Sequence, residues 1–474
     1  MRQLTRRNGT GFATICLISM MALNFYVNVW VHKDDSDFVL ELRPDHTSHK
    51  KSRFLWKLAE TDDEKSALNT TMKNTLESPL GVLSGPQATY KKIPTSPTFE
   101  EVSNVWPSLV NYQDDRILKQ LEFIPESVKN NKKYNRDIKT KTILLFNGFR
   151  DWGVKPGRET FLEQKCPVNN CELVSNIKRA PEVDAVLFRQ NVRFPIYPRP
   201  RDQIWMMYFL ESPYYTPSLK QFNGHINWTA TYRHDSDIVA PYEKFVKYNT
   251  SVLHARPHTM KNYAAGKTKK VAWFVSNCKA SNSRLEYAKE LSKHIDVDIF
   301  GRCGDKKCTR GKEECSRMIH KEYKFYLAFE NSNCRDYVTE KFFYNGLQHD
   351  VIPIVMGAAP EDYRRVAPHY SFIHVDEHIS AKELAQYLLE LDADDDLYNA
   401  YFKWKGTGEF INTFFWCRVC AMLHDTSRAP QSYHDIEEWW RGRDVCIGHD
   451  RWGQHIRREP FISDYYRKQT KTLI

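Results

Sequence analysis

Residues 323–357 read YKFYLAFENSNCRDYVTEKFFYNGLQHDVIPIVMG and decide the fold, because two apolar runs flank a polar loop and a helix. The run 324–330 is largely apolar and typical of a buried strand. After the loop, Thr339 can cap a helix over 340–350, and the apolar run 351–357 predicts a second strand. Buried strands that alternate with helices predict a parallel α/β sheet.

The same alternation extends outward from this unit. Further strand-like apolar runs lie at 142–149, 183–189, 271–276, 297–301 and 372–375. Further helical patterns lie at 283–295 and 381–391. We therefore predict an α/β protein with two domains, at 141–260 and 268–420, followed by a C-terminal extension over 421–474.

The composition is that of a globular protein. Of 474 residues, 41% are hydrophobic and 27% are charged, which excludes collagen-like, fully disordered and multi-span membrane proteins. The net charge of +10 is modest for this length and by itself decides nothing about partners, and we predict no nucleic-acid partner. The chain lacks the G-x-G-x-x-G, P-loop, H-E-x-x-H and G-x-S-x-G motifs, which argues against dinucleotide oxidoreductases, NTPases, zinc proteases and serine hydrolases.

The N-terminus has the pattern of a membrane anchor. Residues 11–31 are uncharged, and as a helix they would span about 31 Å, close to the thickness of a hydrocarbon core. Three arginines lie within residues 1–10, so the positive-inside rule places this tail in the cytosol. We predict a single type II transmembrane signal anchor, then a stem and lead-in over 32–140 that is largely extended or loosely folded. A cleaved signal peptide is the alternative.

Ten cysteines follow the anchor, and an even number in an oxidising compartment predicts up to five disulfides. They are Cys166, Cys171, Cys278, Cys303, Cys308, Cys315, Cys334, Cys417, Cys420 and Cys446. Zinc is the alternative for some of them, but structural zinc sites usually need two short pairs and the chain has one C-x-x-C. Three sequons beyond the anchor predict glycosylation at Asn69, Asn227 and Asn249.

Polar and charged residues gather where the strand at 324–330 ends and the next helix begins. These are Glu330, Asn331, Tyr337, Glu340 and Lys341. Ligands of open α/β sheets bind beyond the carboxyl ends of the strands, and a helix N-terminus favours a diphosphate. Lys341 can neutralise a departing phosphate, and Glu340 can accept hydrogen bonds from sugar hydroxyls. A capped, salt-bridged helix start is the alternative.

Two other segments carry candidate chemistry. Arg284 begins a helix after the strand-like run 271–276. An arginine at this position suits bidentate contact with a phosphate, although an arginine in an exposed ion pair gives the same pattern. Glu211 follows an apolar run and precedes Ser212 and Pro213. A carboxylate at the end of an apolar element can have a raised pKa and act as a general base; a surface acid before a turn is the alternative.

Asp235-Ser236-Asp237 has the D-x-D form that binds Mn²⁺ with a sugar nucleotide in some transferases. Acidic patterns of this length also arise by chance, as the acidic run 392–396 illustrates. The sequence therefore leaves a metal site here as one of two interpretations.

Taken together, these segments resemble the α1,3-fucosyltransferase family. The matching stretches, in the family's order, are LESP (210–213), NWTATYRHDSDIVAPY (227–242), VAWFVSNCKASNSRLEYAKEL (271–291), FYLAFENSNCRDYVTEKFFYNGL (325–347) and VIPIVMGA (351–358). The resemblance implies a GT-B-like fold, in which two Rossmann-like domains face a cleft. It also implies GDP-β-L-fucose as the donor substrate and inversion to an α-linked product.

By position, the resemblance makes Glu211 the base that removes the proton of the acceptor hydroxyl. It makes Arg284 and Lys341 the cations that hold the diphosphate and stabilise the leaving GDP, and it has Glu340 contact fucose and ribose hydroxyls. The remaining donor-binding residues that it implies are Ser276, Tyr326, Asn331 and Tyr337. On this interpretation no cofactor or metal is required, and Asp235 and Asp237 instead tie the acceptor domain together.

Within the family, the extension DIEEWWRGRDVCIGHDRW (435–452) and the added Cys303, Cys308 and Cys315 resemble the branch that fucosylates the innermost, Asn-linked GlcNAc of N-glycans. Outer-chain N-acetyllactosamine is the alternative acceptor. The resemblance implies a Golgi membrane location with a lumenal catalytic body. It also likens Cys166 and Cys171, with Cys417 and Cys420, to the family's interdomain cross-links, with the pairing left open.

Two other classes of function remain as alternatives. A metal-dependent GT-A transferase would use Asp235 and Asp237 as ligands, and a non-catalytic lumenal lectin or scaffold would keep the fold and the disulfides. The second class is disfavoured because the candidate groups Glu211, Arg284 and Lys341 are all intact. The sequence predicts nothing about the oligomeric state.

Overall fold

The computed structural model describes residues 27–34, 37–44, 105–107, 115–133, 137–150, 152–190, 192–194, 197–253, 261–308, 313–428 and 431–452. The chain divides into two compact units, residues 1–75 and 76–474. The first unit contains an antiparallel pair, β1 (Val27–Asp34) and β2 (Asp37–Pro44).

The predicted anchor helix over 11–31 is only partly within the described residues. Its last five residues, Val27 to Val31, belong to β1 and are therefore extended rather than helical, because they pair with β2. Residues 11–26 lie outside the described part of the chain. Among the residues that are described, no helix is both long enough and apolar enough to cross a membrane.

The second unit is built on two five-stranded parallel sheets. The strands of the first sheet are β3 (Lys141–Leu145), β4 (Cys171–Val174), β5 (Ala185–Arg189), β6 (Ile204–Phe209) and β7 (Trp228–Thr231). Their spatial order is β4-β3-β5-β6-β7. The apolar runs of the sequence predicted β3 and β5 but not β4 or β7, which are four residues long and include polar residues.

The second sheet repeats this order. Its strands are β9 (Lys269–Phe274), β10 (Val297–Phe300), β11 (Tyr323–Phe329), β12 (Ile352–Met356) and β13 (Ile373–His374). They lie in the order β10-β9-β11-β12-β13, all parallel, and every strand was predicted as an apolar run. A short antiparallel pair, β8 (Phe245–Lys247) with β14 (Gly408–Phe410), completes the strands of this unit.

The α-helices of the second unit surround these sheets. In chain order they are α1 (Arg116–Glu122), α2 (Glu126–Lys133), α3 (Glu159–Glu163), α4 (Arg284–Leu291), α5 (Glu313–Glu322), α6 (Pro360–Val366), α7 (Ala381–Ala393), α8 (Asp395–Ala400), α9 (Phe415–Leu423) and α10 (Ile436–Arg441). Short 3₁₀ helices lie at Ile177–Glu182, Pro213–Tyr215, Lys220–Phe222, Leu347–His349 and Val375–Glu377. The predicted helix over 340–350 is instead a π-helix, Lys341–Gly346, that continues into the 3₁₀ turn at Leu347.

Part of the predicted stem is folded. Arg116 and Gln120 of α1 are buried, and the Arg116 guanidinium donates to the carbonyl oxygens of His234 (2.7 Å) and Ser236 (2.9 Å). The expectation of a loosely folded segment up to residue 140 is therefore wrong for α1. Its weak apolar periodicity conceals buried polar side chains that bond to backbone rather than to water.

The C-terminal part of the chain returns to the first sheet. Helix α9, which the sequence analysis placed in the second domain, packs with β3 and β4 in one apolar cluster. Helix α10 packs Trp439 and Trp440 into another cluster with β5 and β6. The first sheet is thus completed by residues more than 180 positions further along the chain, as the cluster partners Phe209 and Trp440 illustrate.

Candidate active site

Glu211 lies two residues beyond β6, at the carboxyl edge of the first sheet. Its Oε1 accepts three hydrogen bonds: from the backbone N–H of Ser212 (2.8 Å), from Asn331 Nδ2 (3.2 Å) and from the Tyr337 hydroxyl (2.7 Å). The last two donors belong to the second sheet's loop, so this carboxylate sits where the two sheets meet. Burial holds the pKa of Tyr337 well above its usual range, which keeps its hydroxyl protonated and able to donate.

Other contacts join the same two edges. Ser212 Oγ lies 2.8 Å from Ser332 Oγ, and Asn277 Nδ2 donates to the Tyr215 hydroxyl over 3.1 Å. Pairs of this kind tie the loop after β6 to the loops after β9 and β11. The result is a polar seam between the carboxyl edges of the two sheets.

Residues 330–340, between β11 and the π-helix, form the segment that we call the signature loop. It lies beside the loop that follows β9, because Asn282 Nδ2 donates both to Glu330 O and to Asn333 Oδ1, each over 3.0 Å. In the strand order of this sheet, β9 and β11 are adjacent while the chain visits β10 between them. This is the topological switch point, where open α/β sheets bind ligands.

Arg284 is the first residue of α4 and is 96% buried at this switch point. Its guanidinium donates to Phe329 O (2.6 Å) and Asn277 O (3.2 Å), while its Nε has no hydrogen-bond partner among the described residues. Burial lowers the pKa of this guanidinium below its ordinary value, and the nearby Glu330 carboxylate partly offsets the effect. A buried cation with a spare donor suits an anionic ligand.

Lys341 is held by two carboxylates and a hydroxyl. Its Nζ lies 3.0 Å from Glu330 Oε2, 3.3 Å from Glu340 Oε1 and 2.9 Å from Thr339 Oγ1. Burial acts to lower the pKa of Lys341, but Glu330 and Glu340 outweigh it, so the pKa is raised and the ammonium stays charged. The site therefore keeps a fixed positive charge one residue from Glu340.

Glu330, the chief partner of Lys341, is completely buried and also accepts hydrogen bonds from Thr339 N and Oγ1. Burial raises its pKa, and Lys341 offsets part of that rise. A glycine makes room for it: a Cβ on Gly357, whose φ is +151°, would lie 2.6 Å from Glu330 Cγ. The sequence analysis placed Glu330 at this edge but did not assign it a role.

The predicted donor residues differ in how far they are exposed at this edge. Ser276 is exposed there, and half-exposed Glu340 lies beside Lys341. Burial acts to raise the pKa of Glu340, but Lys341 and hydrogen bonds outweigh it and lower the pKa. Tyr326, in contrast, is 1% exposed in the middle of β11, and its hydroxyl accepts from Asn345 Nδ2. Burial raises the pKa of this hydroxyl above its ordinary value, and the nearby Glu340 adds to the rise while Arg284 offsets part of it, so Tyr326 is buried beneath the charged groups of the site.

Each carboxylate of the D-x-D motif forms an ion pair with an arginine. Asp235 pairs with Arg233 (2.6 Å), and both side chains are buried. Asp237 pairs with Arg428 (2.8 Å) and accepts hydrogen bonds from Thr229 N and the Tyr433 hydroxyl. The contacts of Asp237 tie β7 to the C-terminal part of the chain, whereas the Asp235–Arg233 pair is local.

All ten cysteines beyond the predicted anchor form disulfides. The pairs are Cys166–Cys417, Cys171–Cys420, Cys278–Cys303, Cys308–Cys315 and Cys334–Cys446. The prediction of five disulfides is confirmed, and the zinc alternative is wrong because a disulfide sulfur is not a thiolate ligand. The first pair joins α9 to the loop between α3 and β4, and the second joins α9 to β4.

The asparagine side chains of the sequons differ in their exposure and in their hydrogen bonds. Asn249 is exposed. Asn227, in contrast, donates from Nδ2 to Gln431 O and accepts from Trp205 N, and the hydroxyl of its sequon residue Thr229 is buried. Glycosylation of Asn227 would have to break these contacts, so of these two sites Asn249 is the better candidate. Asn69 lies outside the described residues.

Sequence reasoning missed a cluster that anchors the signature loop from the first sheet. Asp336, with a left-handed φ of +59°, accepts from His234 Nδ1 (2.6 Å) and from Arg365 Nη1 (2.8 Å). Burial acts to raise the pKa of Asp336, but His234 and Arg365 outweigh it and hold the pKa well below its usual range. The only sequence signal was the position of His234 beside the D-x-D.

Two matches to protein families cover both sheets. Residues 138–243 match "Fucosyltransferase, N-terminal", and residues 264–439 match "Glycosyltransferase family 10 (fucosyltransferase) C-term". A solved structure described as an α1,3-fucosyltransferase with GDP-fucose aligns with 63% of this chain and 94% of its own, at 15% identity and a TM-score of 0.39.

Curated relatives extend the match over most of the chain. The glycoprotein 3-alpha-L-fucosyltransferase A of Drosophila melanogaster is 52% identical over 366 residues, which cover 76% of this chain and 71% of that protein. The alpha-(1,3)-fucosyltransferase C of the same organism is 37% identical over 64% of this chain and 78% of that protein. With its seam of carboxylate and cations between two parallel sheets, this chain belongs to the fucosyltransferases of glycosyltransferase family 10.

Proposed function

We propose that this chain is an inverting α1,3-fucosyltransferase that moves L-fucose from GDP-β-L-fucose to the innermost, Asn-linked GlcNAc of N-glycans. The observation that carries the proposal is Glu211, a carboxylate of the first sheet whose Oε1 is held by donors from the second sheet. A base and a set of cations on opposite sides of a seam are what inversion needs.

The two oxygens of Glu211 have different surroundings. Oε1 accepts three hydrogen bonds, whereas Oε2 accepts none from the described residues. Oε1 therefore fixes the orientation of the carboxylate, and Oε2 is the atom that takes the proton of the acceptor hydroxyl. As that proton leaves, the hydroxyl oxygen bonds to C1 of fucose, and the bond from C1 to the β-phosphate oxygen of GDP breaks with its electron pair on GDP.

Cations of the second sheet stabilise the charge that develops on the departing diphosphate. Arg284 offers its unpartnered Nε, and the Lys341 ammonium stays charged beside Glu330 and Glu340. Positioned charges in a poorly hydrated site act without reorganisation as the bond breaks. Half-exposed Glu340 is the group that accepts hydrogen bonds from donor hydroxyls, with Ser276, Asn331 and Tyr337 around the nucleotide.

We infer that transfer needs no cofactor and no divalent metal. Support comes from the chemistry of the acidic residues: Asp235 and Asp237 are paired with Arg233 and Arg428, so neither carboxylate is available as an unpaired ligand. Arg284 and Lys341 supply the positive charge that a metal would otherwise provide at the diphosphate.

The acceptor and the location are also part of the proposal. The 52% identical Drosophila protein is named a glycoprotein 3-alpha-L-fucosyltransferase, which supports a glycoprotein acceptor rather than free outer-chain N-acetyllactosamine. Five disulfides support a secretory compartment, and we propose the Golgi lumen. Membrane attachment through residues 11–31 stays a prediction, and its test is the protease protection of the catalytic body in intact microsomes.

The experiment that tests the function uses the full chain purified in mild detergent. It is incubated with GDP-fucose and a GlcNAc-terminated N-glycopeptide, with and without EDTA, beside an N-acetyllactosamine acceptor, and the products are mapped by mass spectrometry. We expect α1,3-linked fucose on the innermost GlcNAc in both the presence and the absence of EDTA.

Each of the other outcomes would overturn a particular part of the proposal. Transfer only to N-acetyllactosamine overturns the proposed acceptor and keeps the chemistry. Loss of transfer in EDTA, restored by Mn²⁺, overturns the metal-independent mechanism. A folded chain that binds GDP but transfers to neither acceptor overturns the enzymatic proposal in favour of a binding protein.

A further inference from the structure

Residues 445–452, which we call the C-terminal strap, run alongside the signature loop. Cys446 is joined to Cys334 by a disulfide, Arg335 N donates to Val445 O (2.8 Å), and Ile447 N donates to Asn333 O (3.0 Å). The two segments therefore pair as a short antiparallel bridge. Three consecutive residues of the signature loop, 333–335, are fixed by this contact.

We propose that the C-terminal strap is a positioning element for the catalytic carboxylate Glu211. It holds the signature loop so that Asn331 and Tyr337 donate to Glu211 Oε1, which leaves Oε2 for the acceptor hydroxyl. The inference rests on the proposed function, because it assigns the strap a role in that reaction.

The strap is anchored at its far end on the second sheet. Arg451 Nε donates to Asp376 Oδ1 (3.0 Å), Trp452 N donates to Asp376 Oδ2 (3.0 Å), and Trp452 Nε1 donates to Gly357 O (2.9 Å). Asp376 follows β13 and Gly357 follows β12, so both anchors lie at the carboxyl edge of that sheet. The strap is thus tied to a rigid scaffold and not only to the loop it holds.

At its near end the strap continues from α10, which packs on the first sheet. Trp439 and Trp440 of this helix are buried, and Trp440 packs edge-on against Phe209, the last residue of β6. Glu211 is two residues further along the chain. The strap therefore connects the strand that presents the base with the loop that orients it.

The geometry of the signature loop explains why such a tie is needed. Cys334 lies three residues from Asn331 and three from Tyr337, the two donors to Glu211. Between them Asp336 has a left-handed φ of +59°, a conformation that a non-glycine residue keeps only where its surroundings hold it. A small displacement of the loop would move both donors together, and misplacement by about 1 Å can cost up to 100-fold in rate.

The test compares two disulfides in the full chain. Cys334→Ser/Cys446→Ser removes the strap's link, and Cys308→Ser/Cys315→Ser, which opens a disulfide between β10 and α5, is the matched control. The readouts are kcat and KM for GDP-fucose, GDP affinity, and the pH profile of kcat/KM, all below the melting transition of each variant. We expect the strap variant to lose about 10- to 100-fold in kcat with GDP affinity within about twofold, and the control to keep both.

A double-mutant cycle separates positioning from general stabilisation. Tyr337→Phe lowers kcat in the unaltered chain because it removes a donor to Glu211. In the strap variant we expect the same substitution to cost much less, since the hydroxyl is no longer held in place. Equal losses in both backgrounds, or an unchanged kcat and pH profile in the strap variant, would overturn the inference.

A milder variant keeps the test decisive if the cysteine pair is needed for folding. Arg451→Ala leaves the disulfide intact and removes the arginine's part of the far anchor while the Trp452 contacts remain, and we expect a smaller loss of kcat and a weaker coupling to Tyr337→Phe. Full activity and full coupling in that variant count against positioning. Failure of the unaltered chain to transfer fucose overturns the proposed function itself, and is seen before any variant is compared.

Discussion

The two parallel sheets have the same strand order and opposite chemistry. In each sheet, the strand that comes first along the chain lies second from one edge, and the next strand along the chain lies at that edge. The remaining three strands follow in chain order on the other side of the first. The first sheet presents a carboxylate, Glu211, after its fourth strand. The second presents Arg284 after its first strand and Lys341 after its third. The comparison teaches that topology supplies an edge for ligands, and that the charges placed there decide what each edge does.

The two sheets also differ in how they are covered. The second is flanked by helices from its own crossovers, such as α4 with eight residues and α5 with ten. The first has the five-residue α3 and short 3₁₀ helices, and it is completed by α9 and α10 from the end of the chain. The core of the first sheet therefore depends on helices that are distant in sequence, whereas the second sheet packs against helices from the same stretch of chain.

Glu211→Gln should have the strongest effect of the substitutions, and it tests whether the two sheet edges act in different steps of the reaction. Glu211→Gln removes the base, so we expect kcat to fall by about 10²- to 10⁴-fold, with GDP affinity unchanged because the donor edge is intact. Steady-state kinetics and calorimetric GDP binding measure the two quantities. Glu182→Gln, an exposed acid of the same half, is the control. Equal loss of GDP affinity in the Glu211 variant would contradict the division of labour between the sheets.

On the second sheet, Lys341→Ala should impair both binding and turnover. In the proposed mechanism the ammonium contacts the diphosphate before and during bond breaking, so we expect kcat to fall by about 10²- to 10³-fold and GDP affinity to weaken. Lys405→Ala is the matched control, since Lys405 also pairs with a carboxylate, Asp350, but at the amino end of β12. The comparison fails if the Lys341 variant binds GDP as tightly as the control does.

A glycine substitution tests how the donor edge is packed. Gly357→Ala places a Cβ 2.6 Å from Glu330 Cγ at a φ of +151°. We expect a loss of about 2–5 kcal/mol of stability from strain and overpacking, together with a raised KM for GDP-fucose because Glu330 holds Lys341. Gly406→Ala, at a φ of +86° with no atom within 4 Å of its Cβ, should cost about 1–2 kcal/mol and leave KM unchanged. Thermal melting and kinetics distinguish the two.

The smallest expected effect concerns the pH dependence of the contact between the halves. The pKa of Asp336 is lowered in the folded state, so its stabilising contribution is present above the unfolded value near 4 and is lost as the pH falls below it. Asp336→Asn should therefore cost about 1.5–3 kcal/mol at neutral pH and progressively less in acid. Melting temperatures from pH 7 down to the acid limit measure this difference.

The exposed Asp305→Asn is the control for that series, and its melting curve should follow that of the unaltered chain at every pH. A pH-independent difference between Asp336→Asn and the unaltered chain would mean that the ion cluster with His234 and Arg365 does not stabilise the fold. Asp362 lies in the same cluster, and burial together with Asp336 raises its pKa to about 6. Its own titration should therefore appear as a separate change above the acid range.

Much of the second sheet was predictable from sequence because its signals are local. Each of its five strands is an apolar run between polar segments, and Arg284 and Lys341 are read from their positions beside strand ends. The exception is the segment 340–350. It winds as a π-helix and a 3₁₀ turn, and Gly346 packs so closely that a Cβ would lie 2.8 Å from Pro353 Cβ.

The first sheet was less predictable because its partners are remote in sequence. Strands β4 and β7 are short. Next to β7, the hydroxyl of Tyr433, which comes from the C-terminal part of the chain, donates a hydrogen bond to Asp237. Burial of Arg116 in the lead-in also depends on carbonyl groups more than 100 residues away. A local pattern carries no information about such contacts.

The α/β class, the family resemblance and the disulfide count followed from the sequence alone, as did the prediction of one carboxylate and two cations as the candidate catalytic groups. Composition, apolar periodicity and motif order are properties of neighbouring residues, so they can be read along the chain. Only the tertiary structure decided which cysteines pair, that Tyr326 lies in the core, and that Glu330 holds Lys341. It also decided that Tyr337 and Asn331 orient Glu211 from the other sheet, because hydrogen bonds form between atoms that are close in space, however far apart they lie in sequence.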